Sequence, residues 1–148
     1  MLSAVTNVMV LSEDPGIGED PGIGDVLGLD EIAVTRVLPP AGEAPLAARV
    51  CAEITRLAPT SPLVIVAVGD LAALLPAVAL AQRAARRQVL AYVLIDPDYP
   101  AVSEGWPDAR VHVLGSPGVE LRTAELRGWE TGPVTSLRDL ILEISTRQ

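Results

Sequence analysis

The chain contains no lysine and no phenylalanine. All 11 of its basic residues are arginine, so a lysine Schiff base and a Walker A phosphate loop are both excluded. It holds one cysteine, Cys51, which permits no internal disulfide, and one histidine, His112. Aromatic residues make up only 3%. No stretch of 18 uncharged apolar residues occurs. The longest candidate, 71–81, contains Pro76 and ends at Gln82-Arg83, so no membrane span is expected. The first residues, Met1-Leu2-Ser3-Ala4, carry no basic group, so no signal peptide is expected. Together with the single thiol, this places the expected location in the cytoplasm. Cations are scarce against a net charge of −8, which argues against nucleic-acid binding. The cluster Arg83, Arg86, Arg87 reads as a solvated helix end.

Apolar residues are plentiful. They make up 49% of the 148 residues, with a mean hydropathy of +0.38. A chain of this length is expected to form one domain, 1–148. The surplus of apolar surface leads us to expect a homo-oligomer. The segment 12–30 carries the sequence Glu-Asp-Pro-Gly-Ile-Gly twice, at 13–18 and 19–24. Proline and glycine at these spacings make turns and forbid a regular helix, so a loop is expected, with a lid or docking role as the functional reading. Its acids lack the alternating ligands of a calcium loop, and its glycines open no helix as a dinucleotide fingerprint would. No metal and no cofactor are expected.

Periodicity predicts strands at 7–11, 31–37, 63–68, 89–95 and 110–114, and a further one at 119–126. Helices are predicted at 44–57, 71–87 and 137–146. Pro45 falls in the first turn of the first of them, Pro76 begins or kinks the second, and Thr135 or Ser136 caps the third. In the first helix Leu46, Val50, Ile54 and Leu57 form one apolar stripe, with Cys51 beside it as a buried structural thiol. Strands alternating with helices imply an α/β fold with a mostly parallel sheet covered on both faces. Ligands of such sheets bind beyond the carboxyl ends of the strands. That edge gathers Gly69, Asp70, Leu71, Asp96, Tyr99, Trp106 and Ser116 as candidate ligand-binding residues.

Residues 62–114 resemble the core of the α/β-hydrolases. The elements that carry the likeness are the elbow strand Leu-Val-Ile-Val-Ala-Val-Gly-Asp with its following helix, the strand Val-Leu-Ala-Tyr-Val-Leu-Ile-Asp-Pro, and the strand Val-His-Val-Leu-Gly. The resemblance implies a minimal core without a cap domain, lacking one or two N-terminal strands. It also implies a G-x-S-x-G turn at the end of the elbow strand. Here Ala67, Gly69 and Leu71 occupy the first glycine, serine and last glycine positions. A shift of one residue would bring Asp70 to the nucleophile position, although helix capping is its ordinary role. The family's base would follow the last strand, where no histidine occurs. His112 lies inside a strand and reads as a core or strand-face residue. Asp96 reads as a turn former or the trace of an acid position.

Three readings follow. The first is a catalytically degenerate scaffold that binds a small apolar molecule or a partner protein, in a biosynthetic pathway. The second is a non-hydrolytic enzyme, for cyclisation or rearrangement of a natural product, with Asp70, Asp96 or His112 as acid or base. The third is a structural subunit of an oligomer.

Overall fold

A computed structural model describes residues 6–12, 32–102 and 105–146. Six strands form one parallel sheet: β1 (Thr6–Leu11), β2 (Ile32–Val37), β3 (Leu63–Val68), β4 (Val89–Ile95), β5 (Arg110–Gly115) and β6 (Glu130–Pro133). Their order across the sheet is β2-β1-β3-β4-β5-β6, and every neighbouring pair is parallel. Four helices flank the sheet among the described residues: α1 (Leu46–Leu57), α2 (Leu75–Ala84), α3 (Arg122–Leu126) and α4 (Leu137–Thr146). The expected α/β fold is therefore the one observed.

The period-2 alternation of the strands separates two apolar layers. Met9, Leu11, Ile65, Ala67, Tyr92, Leu94, Val111 and Val113 face α1, α2 and α3. Val8, Val10, Val64, Val66, Ala91, Val93, Ile95 and Leu114 face the other way, against Leu137, Ile141 and Ile144 of α4. With both faces covered, the inner strands read as continuous apolar runs, and β3 is buried from Leu63 to Ala67. The stripe on α1 behaves as its spacing requires: Val50 and Ile54 are buried, with Leu46, Leu57 and Cys51 packed beside them. Burial pushes the Cys51 thiol up from its ordinary value, which makes it a poor nucleophile.

Several local expectations are corrected. Pro45 stands at the N-cap of α1, one position before its first turn. The segment 71–87 is not one helix. A 3-10 turn, Gly69–Leu74, precedes α2, whose first turn holds Pro76, where the missing N–H costs nothing. Neither Thr135 nor Ser136 caps α4 as expected. The helix grows out of a second 3-10 turn, Val134–Ser136, and the Ser136 hydroxyl donates to the Pro133 carbonyl at 2.7 Å. The strand expected at 119–126 is replaced by the short helix α3. The reason is topological: β5 and β6 are parallel neighbours, and parallel neighbours need a crossover segment between them. The final strand β6, Glu-Thr-Gly-Pro, has no apolar alternation to announce it.

Arg83 is also not a merely solvated helix end. It donates to the Gly105 carbonyl at 2.6 Å and lies 3.5 Å from one carboxylate oxygen of Asp108. The other Asp108 oxygen accepts a 2.6 Å hydrogen bond from the Tyr92 hydroxyl. Burial, and then this bond, hold the Tyr92 phenol protonated far beyond the range of a free tyrosine. In the unfolded chain the same phenol ionises near pH 10. Tyr92 therefore contributes stability that is fully present below that pH and is lost as the pH rises above it. Stability measured by urea titration is expected to fall steeply above about pH 10. Tyr92→Phe is expected to flatten that fall, and an unchanged alkaline slope in the variant would refute the role.

Candidate functional site

The connections that leave β1 and β3 run in opposite directions across the sheet, since β1 leads to β2 and β3 to β4. The carboxyl ends of β1 and β3 thus flank the switch point, where parallel sheets open a crevice. Val68 is still extended, with φ −109° and ψ 130°. Gly69 then turns at φ +60°, and the 3-10 turn begins there. This is a strand-to-helix elbow with a left-handed residue at its apex, a conformation glycine adopts freely. A Cβ built on Gly69 meets no atom of the described residues within 4 Å.

Asp70 follows the apex, exposed, in the first turn of the 3-10 segment. Its side chain caps neither that turn nor α2, contrary to the capping role expected of it. Leu71 is turned inward and is 1% exposed, within the layer beneath α1–α3. It forms core, not the ligand edge where the sequence placed it.

The end of β4 is held by Asp96. Its φ of +44° lets the chain turn, and its N–H donates to the Leu114 carbonyl at 3.0 Å. One carboxylate oxygen accepts the Ser116 N–H at 2.8 Å and the other accepts the Ser116 hydroxyl at 2.5 Å. Asp96 and Ser116 thereby clamp the ends of β4 and β5 together. Two residues on, the Asp98 N–H donates to the Gly69 carbonyl at 3.1 Å. The elbow, the Asp96 turn and Ser116 thus share one crest. At the end of β1, Ser12 is buried and its N–H donates to the Val37 carbonyl at 3.3 Å. The duplicated segment with its expected lid role, 13–24, lies outside the described residues.

Three other candidates lie away from that crest. Trp106 is 2% exposed and belongs to the core. Its ring meets Tyr92 edge-on at 5.5 Å and Trp129 at 5.8 Å. Tyr99 stacks on Trp129 at 6.4 Å, and the Arg127 guanidinium lies over both rings, at 5.5 and 4.9 Å, while donating to the Pro100 carbonyl at 2.7 Å. The loop aromatics therefore fold back onto the sheet instead of lining its edge, because large rings gain most by burial. His112 is 4% exposed in the middle of β5. Its Nδ1 lies 3.0 Å from Glu130, whose second oxygen accepts from Arg110 at 3.0 Å. Where the family's base would stand, after the last strand, the chain offers Val134, Thr135 and Ser136.

Sequence reading missed Glu130. It lies opposite His112 only through the β5–β6 register, which pairs the two residues. His112 and Glu130 line a cleft of about 210 Å³ beside α4, together with Leu114, Ser136, Asp139 and Glu143. Among the described residues, no group of three or more histidine, cysteine or carboxylate side chains is placed to hold a metal ion. None of their helices is long and apolar enough to cross a membrane.

No protein-family model matches the sequence. No curated protein matches it either. Among solved structures, the chain is similar to the RedJ thioesterase of the prodiginine biosynthetic pathway in Streptomyces coelicolor. That likeness has a TM-score of 0.66 at 12% identity and covers 98% of this chain and 86% of the thioesterase. At this identity the likeness is one of fold.

Proposed function

We propose that this chain is a catalytically silent relative in architecture of the α/β-hydrolases, which binds a small apolar molecule of the acyl type in a biosynthetic pathway. The observation that carries the reading is Gly69 at the elbow apex, at φ +60°, with no described residue within 4 Å of where a side chain would begin and no side chain to attack with. Nucleophilic acyl transfer needs a nucleophile, a base within hydrogen-bond reach and a group that orients the base. The apex lacks the first, and Val134–Ser136 lacks the second. The acid position at Asp96 is spent on Ser116. The pathway context is taken from the thioesterase of similar fold, which belongs to the prodiginine biosynthetic pathway.

The test is hydrolysis of short- and medium-chain esters and acyl thioesters by the purified chain, beside calorimetric titration with the same thioesters. Saturable binding with no hydrolysis above buffer is the expected result, and Gly69→Ser alone is expected to remain inactive for want of a base. Turnover that disappears in Asp70→Ala would replace this reading with carboxylate chemistry, for which Asp70 is the exposed group beside the apex. Failure of every acyl compound to bind would refute the ligand assignment and leave a protein partner as the occupant.

A further inference from the structure

The sheet has two outermost strands, and they are built differently. On one side β6 has four residues, begins with Glu130 and ends in Pro133, which has no N–H to offer a further strand. A short edge with a charge and a proline is poorly suited to pairing. On the other side β2 has six residues, Ile-Ala-Val-Thr-Arg-Val, and among the described residues it pairs with β1 alone. Four of the six are β-branched, and neither glycine nor proline interrupts them. Its one charge is Arg36. Sequences of this kind favour strand pairing, with Arg36 the one residue of the strand that opposes it.

We infer that the outer edge of β2 pairs antiparallel with β2 of a second copy of this chain, joining two sheets into one of twelve strands. This goes beyond the binding role proposed above and does not depend on it. The symmetry restricts the register. A two-fold axis normal to the sheet leaves each side chain on its own face, and opposed residues of an antiparallel pair share a face. One residue must therefore stand opposite itself. With Val34 on the axis, Ala33 stands opposite Thr35 of the second copy and Ile32 opposite Arg36 of the second copy. The two Arg36 positions are then four residues apart, roughly 13 Å at the usual strand rise. That exceeds the screening length in physiological salt, about 8 Å. The half-buried Val34 lies beside Val8 in register and packs against the apolar layer beneath α4, and the axis carries that layer on into its symmetric counterpart. Self-complementarity, separated like charges and a continuous apolar layer favour a second copy over a foreign segment.

The full chain is tested by size-exclusion chromatography with light scattering over a wide concentration range. A mass approaching twice 15.5 kDa at high concentration is expected. Thr35→Pro and Arg36→Pro then probe the edge, because successive N–H groups of a strand point to opposite sides. One variant loses a bond to β1, and the other loses only an outward N–H. The variant that keeps a native circular dichroism spectrum is expected to run as a monomer. Val34→Cys in a Cys51→Ser background is expected to form a disulfide-linked dimer on mild oxidation. A wild-type monomer at every concentration would overturn the proposal. So would a dimer that persists in the folded proline variant and yields no cross-link through position 34.

Discussion

Trp106→Ala is expected to lower the free energy of unfolding by about 3–5 kcal/mol, measured by urea denaturation. The ring is 2% exposed and is the largest of the fully buried side chains. Its removal takes apolar area out of the core and leaves a cavity that the sheet beneath cannot close, since Tyr92 on β4 is held in place by Asp108. It also removes two edge-on ring contacts, to Tyr92 and Trp129, each worth about 0.5–1.5 kcal/mol beyond the buried area. Trp129 is in turn the platform for Tyr99 and Arg127, so the loss reaches the loop after β4. Trp106→Phe is expected to recover part of the stability by refilling part of the space. A ring that lined a ligand site would behave differently, with ligand binding reduced and stability little changed. A loss below about 1 kcal/mol would therefore refute the core assignment.

Asp96→Ala is expected to cost about 2–4 kcal/mol. Two hydrogen bonds to a carboxylate disappear, each of a kind worth about 1.5–3 kcal/mol before the remaining groups rehydrate. The backbone at φ +44° adds a smaller part, because alanine tolerates the left-handed region less well than aspartate, whose short polar side chain bonds locally. Asp96→Asn is expected to fall between wild type and Asp96→Ala, since one amide oxygen still accepts from the Ser116 N–H. The pairing makes the effects of Asp96→Ala and Ser116→Ala less than additive in a double-mutant cycle. Additive losses, or a loss near zero in Asp96→Ala, would show that the clamp does not hold β4 and β5 together. The elbow is involved as well, because the loop that begins at Asp96 ties back to the Gly69 carbonyl through the Asp98 N–H.

Much of this arrangement was legible in the residues. β3, β4 and α4 lie where the apolar runs and the 3.6-residue spacing put them, because those segments bury faces wide enough to leave a pattern. The elbow was legible for a related reason. A glycine-aspartate pair closing an apolar strand marks a turn wherever the strand goes. α3 and β6 left weaker traces. The helix has five residues and only Ala124 buried, while the strand sits at the sheet edge with no buried residue at all. The clamp between Asp96 and Ser116 spans 20 residues and could not be read locally. Nor could the contact of His112 with Glu130, which depends on how two strands are set side by side.

By itself, the sequence determined the class of fold and the glycine that closes β3. Alternating strands and helices and the covalent identity of Gly69 are local properties that no packing alters. Tertiary structure alone decided the strand order, the burial of Leu71 and Trp106, the stacking of Tyr99 on Trp129, and the partners of Asp96 and His112. Those outcomes follow from side-chain directions set when distant segments share one core. A loop aromatic ends up inside or outside according to the apolar surface it meets there, and that surface comes from residues remote in the chain.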